Sequence, residues 1–401
     1  MKLLMLHPHD LHYFPWTIRI IRLGLELVRA GHQVTLGYIE FPLKGTRWEG
    51  KKVREQLPEG LEYVALSARA RRLLPSLRRF YRERPPFELV HVQKCFSTMT
   101  LPALYLAYSL GVPVHYDWDD NEAGLAEGWI HFRPARWEVK LYELLLPRLV
   151  DSMTVASEEL RRRAIARGMP PEDIFPAPVG ADLEAFSPAR DGKDVREQYQ
   201  LGDHPVVLYM GQLAGAAYVN LLLDAAAFIS KRRPMVRFLV VGGGEQLKGF
   251  QHQARVLQVD RQVIFTDYVP QDEVPDYVAA ADIAVATFED NEITRCKSPL
   301  KIAEYMAAGK PIVASRMGEV PGMLEGCALL VPPCSVQGLA EAIERYLQEP
   351  DLRRSHAEAA RRRAEEIYNW PATAQSLLKA YERAFGKRGK RISNSESRIT
   401  Q

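Results

Sequence analysis

Short apolar runs alternate with longer stretches of mixed polarity along almost the whole chain. This alternation predicts an α/β protein with parallel sheets. LLMLHP near the N-terminus reads as a first strand. Ile18 to Ala30 places its apolar residues at helical spacing and is closed by Gly31, and QVTLGYI follows as a strand. LEYVAL and ELVHVQ read as further strands, with an Arg-rich helix between them. A helix from about Leu101 to Leu110 leads into GVPVHYDWDD, a strand running into an acidic loop. Trp137 to Leu149 is expected to be helical, SMTVAS a strand and EELRRRAIARG a helix. The proline-rich phrase FPAPVGADLEAFSP then breaks the rhythm.

A second series follows it. VVLYMGQL, VRFLVVGGG, VIFTDYVP, IAVATF, PIVAS and LLVPP read as strands, separated by helices such as Asn220 to Arg232 and Lys248 to Leu257. The expected architecture is two Rossmann-like, doubly wound parallel-sheet domains facing each other across a cleft. The first domain is expected over residues 1–187 and the second over 188–370. A terminal helix over 371–386 precedes a disordered tail, 387–401.

Length supports this division, because 401 residues exceed one ordinary core. A net charge of +3 is too small to point to nucleic acid. Cys95, Cys296, Cys327 and Cys334 form no C-x-x-C pair, which favours a reducing compartment over a disulfide framework or zinc site. KLLMLHPHD reaches His and Asp too early for a signal-peptide core, so the expected location is cytoplasmic. Between Arg69 and Arg84, seven arginines and one glutamate interleave with Leu and aromatic residues. Such a segment fits an anionic membrane surface, and it fits an Arg-rich surface helix with no lipid role equally well.

The most informative stretch is CKSPLKIAEYMAAGKPIVAS, Cys296 to Ser315. Ser298 suits an N-cap, Pro299 the first helical position, and Gly309 with Pro311 the helix end. Lys301 and Glu304 lie three residues apart, on one side of that helix. A diphosphate can rest on the helix N-terminus beside Lys301, drawn by main-chain N–H groups and the dipole. Glu304, about 5 Å further along, can accept two hydrogen bonds from a ribose diol. A capped helix with a solvated Lys/Glu pair carries the same pattern.

This segment resembles the donor-binding motif of the retaining glycosyltransferases of family 4, which have the GT-B fold. Glu304 stands for the motif's second Glu and MAAGKPIVAS for its tail. RAGHQVTL, LVDSMTVASEELRRRAIARG, VPDYVAAADIAVATF and NWPATAQSLLKAYERAF resemble other parts of the family's two domains. The chain departs from the family pattern in three places. The motif's first Glu falls at Cys296, with Glu289, Asp290 and Glu292 as possible substitutes. The basic phosphate loop becomes Gly211-Gln212-Leu213-Ala214-Gly215-Ala216-Ala217-Tyr218, which leaves Lys301, with Lys297 or Arg295, to offset the diphosphate. The usual His of the N-terminal domain is replaced within DWDDNE, where Asp119 matches best. SPLK places the chain in a Pro-Leu-Lys branch that commonly lacks these groups.

The resemblance implies a retaining hexosyl transfer from a UDP- or GDP-linked sugar to a lipid-linked or polysaccharide acceptor. It implies no cofactor and no metal. The catalytic group is expected to be Asp119, Lys301 and Glu304. The donor is expected to meet Gly211, Gln212, Gly242, Gly243, Tyr268, Val269 and the run Cys296, Lys297, Ser298, Pro299 and Leu300. The acceptor side is assigned to His12, Trp16, Arg19, Asp117 and Asp120. His7, His9 and Asp10 crowd the same first loop as His12, without partners at metal-ligand spacing elsewhere. Two other functions stay open: a silent nucleotide-sugar-binding subunit, and a nucleotide-sugar epimerase.

Overall fold

The central strands form where an apolar run is buried on both faces, as a parallel sheet covered by helices requires. The computed structural model describes residues 1–40, 52–67, 86–213 and 218–399. The Arg-rich segment Arg69–Arg84 and Ala214 to Ala217 lie outside these residues. Two compact units result, one of residues 1–178 plus the C-terminal helix from Trp370, the other of residues 179–369. The division falls at Pro178, nearer the start of the proline-rich phrase than the expected boundary after 187.

The first unit opens with β1 (Lys2–His7), α1 (Ile18–Arg29), β2 (Gln33–Glu40) and β3 (Glu62–Ser67). It continues with β4 (Leu89–Gln93), α2 (Ser97–Leu110), β5 (Val114–Trp118), α3 (Glu122–Trp129) and α4 (Arg133–Leu149). β6 (Ser152–Val155), α5 (Glu158–Ala166) and β7 (Ile174–Pro176) complete the sheet. Its strands run in the order β3-β2-β1-β4-β5-β6-β7, all parallel. Strand order reverses between β1 and β4, a switch point beyond which ligands sit in folds of this kind.

The second unit holds α6 (Lys193–Gln198), β8 (Val206–Met210), α7 (Val219–Arg232), β9 (Arg237–Val241) and α8 (Leu247–Val256). β10 (Val263–Phe265), α9 (Val274–Ala279), β11 (Ile283–Ala286), α10 (Glu292–Arg295) and α11 (Leu300–Ala307) follow. The unit ends with β12 (Ile312–Ser315), α12 (Val320–Met323), β13 (Ala328–Val331), α13 (Val336–Gln348) and α14 (Pro350–Glu366). The parallel order is β10-β9-β8-β11-β12-β13, with the switch between β8 and β11.

These are the two doubly wound domains expected, with several local differences. α2 begins at Ser97 and carries Pro102 inside it, where the sequence places the start at Leu101. The expected acidic loop runs straight into α3, a helix the sequence does not announce; Asn121 caps it by accepting the Gly124 N–H (2.9 Å). The last helix, α15 (Trp370–Ile399), packs on α1, β5, β6 and β7 of the first unit. Its Thr373 hydroxyl donates to the Pro178 carbonyl (3.0 Å), and the Tyr381 hydroxyl meets Nδ1 of buried His91 (2.8 Å). The helix runs through the expected disordered tail as far as Ile399. Two basic side chains of that tail have acidic partners: Lys387 reaches Asp173 (2.5 Å) and Arg388 lies 3.9 Å from Asp151.

Candidate functional site

In the second unit the chemistry gathers at the carboxyl ends of β8 and β11. α11 starts at Leu300 behind an extended Pro299, and no side chain caps it. Ser298, the expected cap, instead accepts the main-chain N–H of Val179 (3.2 Å). An extended proline at the cap position accounts for the difference, because it turns Ser298 away from the first turn. The helix ends as expected: Gly309 takes φ +60, and the N–H of Lys310 reaches back to the Tyr305 carbonyl (3.0 Å).

Lys301 occupies an apolar seat. Its Nζ lies 4.2 Å from the ring centroid of Tyr209, the penultimate residue of β8, and 5.8 Å from that of Phe288, just past β11. Gly211 forms one wall, because a Cβ there would come within 2.8 Å of Nζ. The Tyr305 hydroxyl accepts the Met210 N–H (2.8 Å) and so ties α11 to the end of β8. Burial lowers the Lys301 pKa to about 7, nearby Lys297 adds to this, and Glu304 opposes it. Glu304 is half-buried one turn further along. Tyr209, Phe288 and Tyr305 were not legible as site residues, since each reads as an ordinary core aromatic.

The glycine run serves packing first. The Gly211 N–H donates to the Val241 carbonyl, and that of Leu213 to the Gly243 carbonyl, both at 2.9 Å. A Cβ on Gly242 would stand 2.1 Å from the Gly211 carbonyl oxygen, and its φ of +126 excludes other residues. A Cβ on Gly243 would strike Asp267 and the Tyr268 ring. The loops after β8 and β9 therefore touch backbone to backbone beside Lys301. Tyr268 is exposed, Val269 half-buried and Gln212 exposed.

Cys296 is fully buried at the end of α10 and presents no surface to a donor. Its expected role as a donor contact is corrected accordingly: the thiol is packed inside the loop. Of its possible substitutes, Asp290 is engaged by Arg295 through two bonds of 2.6 and 3.0 Å. That pairing also commits Arg295, one of the cations considered for the diphosphate. Glu289 is exposed, in a loop fixed by the Asn291–Thr294 capping box.

The first unit gathers its polar residues at its own switch point. Arg19 and Asp117, expected from the sequence as acceptor contacts, instead form a buried ion pair. Arg19 Nε and Nη2 each meet an Asp117 oxygen at 2.8 Å, and Nη2 also donates to the Ala177 carbonyl (2.8 Å). Thr154 donates a further bond to Asp117 (2.7 Å). Burial opposes the Asp117 charge, yet the guanidinium holds its carboxyl well below the usual carboxylate range.

Asp119 sits above this pair and accepts from Gln93 (3.1 Å) and Lys94 (3.2 Å). The Lys94 ammonium also donates to Glu122. Burial pushes Glu122 up to about 8, Lys94 opposing and Asp119 adding to the rise. Gln93, Lys94 and Glu122 escaped the sequence reading. For Gln93 and Lys94 the signal was two consecutive polar residues at the end of β4; Glu122 carried none. Asp120 is half-buried and accepts the Asn121 N–H (2.9 Å).

The first loop splits its histidines. His12 turns to the Arg54 carbonyl (3.0 Å), whereas His9 lies in an aromatic group with Phe14, Trp16 and Phe96, at centroid distances of 5.2 to 5.8 Å. His7 is fully buried with no well-formed hydrogen bond at either ring nitrogen. Burial lowers both His7 and His9, the latter to about 3, so both are neutral.

Each of the two parallel α/β units carries charged groups at its switch point, where ligands sit in doubly wound folds. Residues 18–180 match the Glycosyl transferase 4-like domain, and residues 191–363 match Glycosyl transferases group 1. The chain belongs to this glycosyltransferase family. It is 30% identical over 225 residues to a GDP-mannose-dependent alpha-(1-6)-phosphatidylinositol monomannoside mannosyltransferase of Mycolicibacterium smegmatis, covering 55% of this chain and 59% of that protein. The chain thus spans less than two thirds of that relative. It is 26% identical over 339 residues to an MMP alpha-(1->4)-mannosyltransferase of Mycolicibacterium hassiacum, covering 81% of this chain and 76% of that one. Its fold is similar to that of Anabaena HepE in complex with UDP, with a TM-score of 0.72 at 19% identity over 95% of this chain and 100% of that one. The architecture is GT-B.

Proposed function

We propose that this protein transfers a hexosyl unit from a UDP- or GDP-linked sugar to a lipid-linked or polysaccharide acceptor, with retention of configuration. The observation that carries this is the seat of Lys301 at the β8/β11 switch point, in the first turn of a helix that no side chain caps. As the bond from the sugar's anomeric carbon to the phosphate oxygen breaks, negative charge develops on the leaving diphosphate. The Lys301 ammonium and the first-turn N–H groups of α11 stabilise it, and no metal is needed for that role. Glu304 accepts the ribose hydroxyls. The acceptor oxygen attacks from the face the diphosphate leaves, and the departing phosphate oxygen takes its proton. Asp119, held by Lys94 and Gln93, orients hydroxyls in the first unit.

GDP-mannose dependence in one relative and bound UDP in a structural neighbour support a nucleotide-diphosphate donor. The test is release of UDP or GDP by the purified protein from a panel of hexose donors, with a lipid extract as acceptor and with EDTA present. Acceptor-dependent release from one donor class is expected, and Glu304→Ala should lower kcat/KM roughly 10–100-fold. Tight nucleotide binding with no turnover of any donor would instead favour the silent subunit.

A further inference from the structure

We infer that the outer face of α2 and α4 in the first unit lies on an anionic lipid bilayer. α2 carries no charged residue from Ser97 to Leu110, so its solvent side is as apolar as its buried side. Leu101, Tyr105 and Tyr108 form an exposed stripe at spacings of four and three, with Tyr108 84% exposed. α4 repeats the device with Trp137, Leu141 and Leu144, Trp137 being 73% exposed. Phe132 precedes the helix and is also exposed. The two helices pack against each other, which sets the two stripes on neighbouring helices. Together with Leu149 they account for eight of the fourteen large exposed apolar side chains among the described residues. Scattered exposure would need no explanation, but this concentration does.

Charge and residue type select the occupant. Arg133, Lys140 and Arg148 are exposed along the same side of α4. Lys140 is offset by Glu127 (2.6 Å), and the two arginines leave the rim cationic. Trp and Tyr beside basic residues suit the boundary between headgroups and acyl chains, where an apolar ring needs one wet end. A second copy docked on this face by two-fold symmetry would bring like charges together. Among the described residues no helix is long and apolar enough to cross a membrane, so this contact lies on the surface.

The surface is independent of the donor site, and its test needs no turnover. The full chain is floated with vesicles of phosphatidylcholine alone and of equal parts phosphatidylcholine and phosphatidylglycerol. Partition onto the anionic vesicles is expected, and Tyr108→Ser with Trp137→Ser should weaken it roughly tenfold or more. Arg133→Glu with Arg148→Glu should weaken it on anionic vesicles only. All four positions are exposed, so circular dichroism should be unchanged. A wild type that stays with the unbound fraction overturns the proposal. So does flotation that survives both pairs and is lost on changing Arg71, Arg72, Arg78 and Arg79 to Glu, which places the contact elsewhere. A wild-type dimer that Trp137→Ser dissociates also overturns it, by giving the face to a second copy.

Discussion

Replacing Arg19 by alanine is expected to destabilise the first unit by about 3–5 kcal/mol, because a buried carboxylate loses its counter-charge. Asp117 has no exposed surface, so water cannot replace the guanidinium. The Ala177 carbonyl loses its donor as well, and the chain there leads out of the unit. Arg19→Lys should recover only part of the loss, since an ammonium cannot bond both carboxylate oxygens in a fixed plane. Asp117 is held low in the folded state, so its contribution is present above the ordinary carboxylate pKa and is lost as pH falls below it. Hydrogen exchange of the amides of β5 in the full chain, wild type against variant, reads the loss without requiring the two units to unfold together. Unchanged protection would contradict the assignment.

Lys301→Met is expected to raise the melting temperature while weakening nucleotide-diphosphate binding by about two orders of magnitude. A folded pKa of about 7, against 10.5 for the free side chain, means the unfolded chain binds more protons between those values. Stability therefore rises with pH through that interval, and below it the half-buried ammonium is a standing cost. Methionine keeps the contacts with Tyr209 and Phe288 and removes the charge. Differential scanning fluorimetry with and without UDP or GDP reads both effects. A lower melting temperature with unchanged ligand shift would make Lys301 a packing residue.

Much of the fold was legible because its strands are buried on both faces and read as unbroken apolar runs. VVLYM is an example and is fully buried; LVHVQ is buried throughout as well, although His91 and Gln93 interrupt its apolar run. The donor helix was legible through Pro299, Gly309 and Pro311, whose backbone restrictions act locally. What sequence could not show was pairing at a distance. Arg19 and Asp117 stand 98 residues apart, and each alone resembles a polar residue beside a site. Lys387 and Asp173, 214 apart, hide a helix in what reads as a charged tail. Cys296 was placed by motif register, which carries no information about burial. The Lys94–Asp119–Glu122 cluster depends on the adjacency of β4 and β5, which only the sheet order supplies.

The diphosphate seat is tested most directly by calorimetry with UDP, UMP, GDP and GMP in two buffers of different ionisation enthalpy. The pH is set about one unit above the Lys301 pKa of about 7. A diphosphate bound against Lys301 restores its proton, so binding should take up protons and weaken as pH rises through that pKa. One diphosphate should bind, its monophosphate far more weakly, and Lys301→Met should erase both the preference and the proton uptake. Equal affinity for mono- and diphosphate, or proton uptake that persists in Lys301→Met, would contradict the account.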